Sequence, residues 1–424
     1  MKWLTKIKGG SLQFVLFIGA VIAVLLLTFV LLSHMHIQFS KKSDTYIEII
    51  KQADLALEMA LNNPNGGQVG LRDFSQKGIE TIVVQERWGL FDVYRIDASF
   101  QKTQFTKMAL VGTRRPTNDA ALYLKDNQRP MIIVGHARIK GDAYLPDQGI
   151  RPGNIAGQSF YGNTPVQGKQ KRSNSALPPI AGQLKNSLEQ WASPAFIPAR
   201  SKRLNGLQTN ELVHSFLEPP LVVWGEVLQL AGKKITGNVV LKADYRIVVS
   251  ATTLLTDVIL VAPEIVIQDG VTGSFQAIAS KTIVVGKNCL LRYPSALAVF
   301  HKESRTDLNQ GIPVPNIQIQ TNSSLKGIIG YWEDVREHKQ RYHPQVRIDA
   351  GATVIGQVYC EKHLELKGSV HGNVTTDSFV AMENGSVYQN HLFQGKIDAG
   401  VLPLQYVGLG YGQQGKGGVA KWLY

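Results

Sequence analysis

The stretch VVLKADYRIVVSATTLLTDVILVAPEIVIQDGVTGSFQAIASKTIVV, residues 239–285, decides how the chain folds. Within it Ile247-Val248-Val249, Ile265-Val266-Ile267 and Ile283-Val284-Val285 are apolar triplets, each 18 residues after the last. Val239-Val240-Leu241 and Val258-Ile259-Leu260 form a second series between them. Downstream, Gly351, Gly368 and Gly385 recur every 17 residues and open the phrases GATVIGQV, GSVHGNV and GSVYQN. Leu364-Glu365-Leu366 and Phe379-Val380-Ala381 read as short strands between those phrases. A fixed period of this length, with several short strands broken by Gly, Asn and Asp, predicts a β-solenoid. Each coil then stacks its inward apolar side chains on those of the coil below, about 4.8 Å away. Evenly spaced hairpins of a β-sandwich are the competing reading of the same period.

Working outward, the solenoid is expected over 201–395, with loop excursions at 301–315 and 329–345, followed by a glycine-rich tail at 396–424. Residues 161–200 read as a linker, rich in Gly and Pro to position 182, with a short helix at 184–193. Residues 68–160 read as a β-rich domain. Its strand candidates are Ile79–Val84, Leu90–Ile96 and Phe105–Val111, with a turn at Trp88-Gly89. The phrase at Gly135–Ala143 echoes the later coils and reads as a first coil separated from the rest.

At the other end stands FVLFIGAVIAVLLLTFVLL, residues 14–32, nineteen uncharged residues in a row. About twenty apolar residues of helix cross a bilayer core, so residues 11–33 read as a retained transmembrane helix after a basic leader at 1–10. Lys2, Lys6 and Lys8 flank the run on one side, and no Lys or Arg follows until Lys41. That bias predicts an N-terminus in the cytoplasm and a body outside it. Ser43, Asp44 and Thr45 offer helix caps, and Thr45 with Glu48 fits a capping box. Beyond them Tyr46, Ile50, Ala53, Leu57 and Leu61 recur at helical spacing, so 34–63 reads as an amphipathic stalk.

This apolar helix running into an amphipathic one, behind the junction Lys6-Ile7-Lys8-Gly9-Gly10-Ser11, resembles the N-terminal helix of type IV pilins and pseudopilins. The resemblance implies a leader-processing junction between Gly10 and Ser11. It also implies a helix that serves as both membrane anchor and assembly stalk. Val15 stands where pilins usually carry Glu. A plain anchor helix is the alternative. Separately, the phrase Lys367–Val374, with its neighbours at 351–358 and 385–389, resembles the bactofilins, bacterial polymer-forming β-helices. That resemblance implies a scaffold built from the same coils.

The formal net charge is +13. Basic residues concentrate at Lys169, Lys171, Arg172, Lys185, Arg200, Lys202 and Arg203, and at Arg336, Lys339 and Arg341. A basic surface of this kind suits an anionic polymer, DNA or glycan. The excursion containing Tyr331, Trp332, Arg336, Lys339, Arg341 and Tyr342 mixes cations with aromatic rings and is the candidate partner-binding loop. Its competing reading is a solvated loop, since Glu333, Asp334 and Glu337 lie within it. Cys289 and Cys360 fall on different coils, too far apart to bridge. The chain holds no G-x-S-x-G, H-E-x-x-H or C-x-x-C, and Gly410–Lys416 only approaches a P-loop. No catalytic, cofactor-binding or metal-binding residue is assigned, and no cofactor is expected.

These features predict a non-enzymatic, single-pass protein of a bacterial inner membrane, with its β-solenoid body periplasmic or extracellular. A structural or assembly role follows, in its sharper form as a minor pilin-like part of a surface filament or secretion apparatus, with other subunits as partners. The alternatives are an anchored bactofilin-like scaffold and an anchored carbohydrate-active lyase or esterase on a β-helix.

Overall fold

A computed structural model describes residues 10–62, 70–76, 78–116, 119–302, 314–334, 342–411 and 415–423. The protein is mainly β, preceded by one long helix, α1 (Gly10–Asn62, 53 residues). At 1.5 Å per residue α1 is about 80 Å long. It runs without interruption through the expected junction between anchor and stalk. Thr45 is therefore not a helix cap: its hydroxyl donates back to Lys41 O at 2.8 Å, a bond made inside a helix.

Next come four antiparallel strands, β1 (Gly70–Asp73), β2 (Glu80–Trp88), β3 (Phe91–Phe100) and β4 (Thr103–Arg114). Val407–Gly408 and Gly417–Leu423 add to the free edge of β4. The expected glycine-rich tail thus contributes two strands to this sheet. Alternation along the strands separates two faces. Tyr94, Ile96, Ala98, Ala109 and Val111 pack on Ile49, Ala53, Ala56, Leu57 and Ala60 of α1. Val93, Met108 and Leu110 point the other way, onto the rest of the body.

That body is built on a 20-stranded sheet whose strands pair in parallel, apart from the antiparallel hairpin of Val380–Glu383 with Ser386–Gln389. The triplets read from the sequence pair in register: Ile247 with Ile265, Ile265 with Ile283, and Ile283 onward with Ile317. One inward column runs Leu204, Val223, Leu241, Leu260, Ala277, Leu297, Ile329, Val358, Val374, Leu122, Ala143, Gln170. Twelve layers at about 4.8 Å make a stack of about 50 Å. Between Val223 and Ala143 every residue of this column is buried.

The layer order departs from the chain order. Residues 122–172, expected as part of a separate domain and a linker, form the layers beyond the strands at 369–383 and 396–398. Leu122 pairs with Val374, Ile139 with Ile397, and Val166 with Ile139. The phrase at Gly135–Ala143 is thus part of the stack, but near its far end. The segment read as a β-rich domain over 68–160 divides after β4. A helix, α2 (Gly182–Ala192), then returns along the side of the stack, burying Leu184, Leu188 and Trp191 against a surface that includes Val240, Ile259 and Ile278. Just past α2, buried Lys242 donates to Pro194 O at 2.5 Å and to Phe196 O.

The glycine phrases have a steric cause. Gly327, Gly356 and Gly372 stack in register with φ near +150°. A Cβ on Gly356 would lie 1.9 Å from Gly327 O, and one on Gly372 would lie 1.9 Å from Gly356 O. Only glycine allows the backbones to approach this closely.

Candidate functional site

Three features were expected to carry function: the N-terminal helix, the aromatic and basic excursion, and the basic cluster. Gly10 and Ser11, the expected processing junction, are exposed and are the first two described residues of α1. Among the described residues α1 is the one helix long and apolar enough to cross a membrane. Its first buried residue is Ile49. The buried stripe is Ile49, Ala53, Ala56, Leu57 and Ala60, turned slightly from the expected one, so Tyr46 stays exposed and Ile50 only half-buried. Between the apolar run and the sheet, Met35, Ile37 and Phe39 are exposed.

The excursion expected at 329–345 begins later. Residues up to Asp334 continue the strand Ser324–Asp334, and Tyr331 and Trp332 are buried, not displayed. Tyr331 points inward in the core and donates its hydroxyl to Glu333 Oε2 at 3.0 Å. Burial and the Glu333 carboxylate hold its phenol well above the usual range, so it remains a donor. Trp332 stacks on Tyr359, which stacks on Tyr411. Aromatic rings at a covered sheet face look, in sequence, like rings on a binding loop. The distinguishing signal was register: Gly327 pairs with Gly356 on the neighbouring strand and fixes Tyr331 as an inward position, opposite buried Cys360. Tyr342 packs 6.1 Å from the His363 ring. Arg336, Lys339 and Arg341 lie outside the described residues, as do 303–313 of the excursion expected at 301–315, whereas His301 and Lys302 complete the strand Leu290–Lys302.

The basic cluster is not one surface. Lys169, Lys171 and Arg172 lie on the last layer, and Lys202 and Arg203 on the first, eleven layer spacings away. Lys185 pairs with Glu361 at 2.8 Å, midway along the stack. The opposite ends of a stack cannot form one groove for a polymer strand.

Cys289 and Cys360 are both buried and free. His363 and His371 stand at separate points along one pair of neighbouring strands, in register with Ser378 and Ile355 respectively. Among the described residues no three His, Cys, Asp or Glu side chains gather as a metal-binding group. Tyr411, within the sequence that approaches a P-loop, is packed under Tyr359, and residues 412–414 lie outside the described set. The polar contacts that stand out are clasps from the stack to the antiparallel sheet and the segment beside it. Gln276 and Gln357, outward on the stack, bond the backbone of Trp88 and Leu90 and of Leu409 respectively. Sequence reading passed over both, because a lone Gln in a strand carries no pattern.

Comparison of the chain with family models, curated proteins and solved structures gives no match.

Proposed function

We propose that this is a non-enzymatic, membrane-anchored structural or assembly protein whose parallel stack is a β-solenoid held clear of the bilayer by α1. The observation that carries this reading is the way α1 is used. Its distal end is fixed to the antiparallel sheet, beginning where Tyr46 packs edge-on against Phe105, while Gly10–Asp44 stands free of the body. That free segment exceeds the roughly twenty residues a bilayer core requires. The surplus past Leu32 is about 18 Å of helix, and it exposes Met35, Ile37 and Phe39. Apolar side chains exposed beyond the membrane span suit packing beside helices of other subunits, as in a pilus-like filament or secretion apparatus. The Lys2, Lys6 and Lys8 flank supports a cytoplasmic N-terminus and a body periplasmic or extracellular.

Mass spectrometry of the N-terminus tests the sharper form: a mature chain beginning at Ser11 is expected, and an intact Met1 removes the processed-pilin reading while leaving the anchor. A Phe39→Cys variant should cross-link within the membrane-bound assembly. A body found on the cytoplasmic side would favour the bactofilin-like scaffold, and glycan turnover by the purified chain would defeat the non-enzymatic reading.

A further inference from the structure

The two ends of the stack are built differently. At the end formed by residues 166–172, the inward Val166 is buried, and Ile150 and Phe160 pack against the core there. The outer residues, Gln167 to Arg172, are polar or glycine, and Lys171 and Arg172 pair with Asp142 and Asp147. That end is closed.

The end formed by Lys202–Asn205 and Glu211–His214 is open. Leu204, which terminates the core column, is 41% exposed. Val213 and Leu217 nearby are more exposed still, at 67% and 53%, and Leu207 and Leu212 are half-buried against the core. Lys202 N and Gly206 N both donate back into the stack, to Pro220 O and Trp224 O. Strand alternation therefore turns the N–H and C=O of Arg203 and Asn205 outward. The carbonyls of Asn210 and His214 also accept from the stack, which turns the backbone of Glu211 and Val213 outward. Stacked-coil proteins normally cover such an end with a polar capping unit, and an uncovered strand edge is a template for another strand.

The charge on this end has one sign to spare. Glu218 is taken by Lys202 at 3.0 Å and Glu211 by Lys234 at 2.8 Å. Arg200, Arg203 and Lys233 have no acidic partner among the described residues. The one acid of these two layers without a cation is Glu226, in the bulge after Gly225. A second copy is a poor occupant, since its ends carry cations at Lys169, Lys171 and Arg172 or at Arg200, Lys202 and Arg203.

We propose that the open end accepts, as a thirteenth layer, an extended segment of another protein in which acidic and apolar residues alternate. Parallel in-register addition places an apolar residue over Leu204 and an acidic one over Arg203, while the outward backbone groups complete a ladder. This holds whether or not α1 assembles with other subunits.

The test uses the full chain in detergent micelles and a synthetic peptide of about nine residues alternating Glu with Val or Leu. Binding is read by fluorescence anisotropy and by amide hydrogen exchange. The acidic peptide should bind and slow exchange at Arg203, Asn205, Glu211 and Val213. A lysine-for-glutamate peptide and one interrupted by proline should bind at least about tenfold more weakly. Arg203→Glu, an exposed change that leaves the core intact, should weaken the acidic peptide by a similar factor, as should Leu204→Asp. Lys171→Glu, at the closed end, should leave it unchanged. Unslowed exchange at millimolar peptide, equal binding of the lysine peptide, or full binding by Arg203→Glu would overturn the proposal. Self-association of the chain that Arg203→Glu abolishes would also overturn it, by making a second copy the occupant.

Discussion

Gln276 clasps Trp88 across the boundary between the stack and the antiparallel sheet. Its Nε2 donates to Trp88 O at 2.9 Å, and its Oε1 accepts from Leu90 N at 2.8 Å. One side-chain amide thus completes both backbone groups of a tight turn, in which Gly89 has a φ of +64°.

Replacing Gln276 by Leu keeps the bulk and strands a buried N–H and a buried C=O. Each unsatisfied group costs roughly 1–3 kcal/mol. We expect Gln276→Leu to destabilise the protein by about 2–4 kcal/mol in chemical unfolding, and to make β2 and β3 the first protease-sensitive strands. A loss below about 0.5 kcal/mol would mean that apolar packing alone holds the sheet to the stack.

Gly356 and Gly385 both open or punctuate coil phrases, yet they should respond differently to alanine. Gly385 has a φ of +78° with nothing within 4 Å of an added Cβ. Gly385→Ala should cost only about 1–2 kcal/mol, the penalty of a left-handed residue. At Gly356 the added carbon meets a backbone oxygen that cannot rotate away. Gly356→Ala should abolish soluble expression, or lower the melting temperature far more than Gly385→Ala. Equal effects would refute the stacked-glycine explanation.

Asp119 is mostly buried beside Arg115, whose guanidinium also holds the carbonyls of Ala399 and Leu402. Burial, only partly offset by Arg115, pushes its carboxyl up to about 6. The folded state therefore holds a proton that the unfolded chain releases near pH 4. This group's contribution is fully present below about pH 4 and is lost as pH rises through 6. Measured against Asp119→Asn, the wild type should lose on the order of 2–3 kcal/mol between pH 4 and 7. A flat difference across that range would contradict the burial.

Both thiols are held above their usual range by burial. The native protein should resist maleimide labelling at Cys289 and Cys360 at pH 7 and take up two labels when unfolded. Rapid native labelling at Cys360 would place it outside the core. An unreactive background also lets a single cysteine introduced at Ser40 report which side of the membrane the exposed part of α1 occupies.

The parallel register was legible wherever the apolar triplets kept their spacing, because inward Ile and Val repeat with the layer. The strands of the antiparallel sheet were legible from alternation, since one face meets α1 and the other the stack. The order of the layers was not. Leu122 and Val374 are neighbours across more than 200 residues, and Leu122–Leu124 is too short to carry a period of its own. The candidate loop was misread at Tyr331 and Trp332 for a related reason. Acidic and basic residues next to them signalled solvent, whereas the glycine register at Gly327 signalled a coil.

The placement of residues 122–172 beyond Ile397 also bears on how the chain is made. Synthesis delivers Leu122–Leu124 about 250 residues before the strand at Val374–Thr376 on which it pairs. At roughly 5–20 residues per second this is a wait of some tens of seconds. During that time three layers' worth of strands have no surface to join, and β4 lacks its last neighbour until Gly417–Leu423 emerges. Nascent chains halted before the C-terminal strands should therefore leave both sheets unfinished.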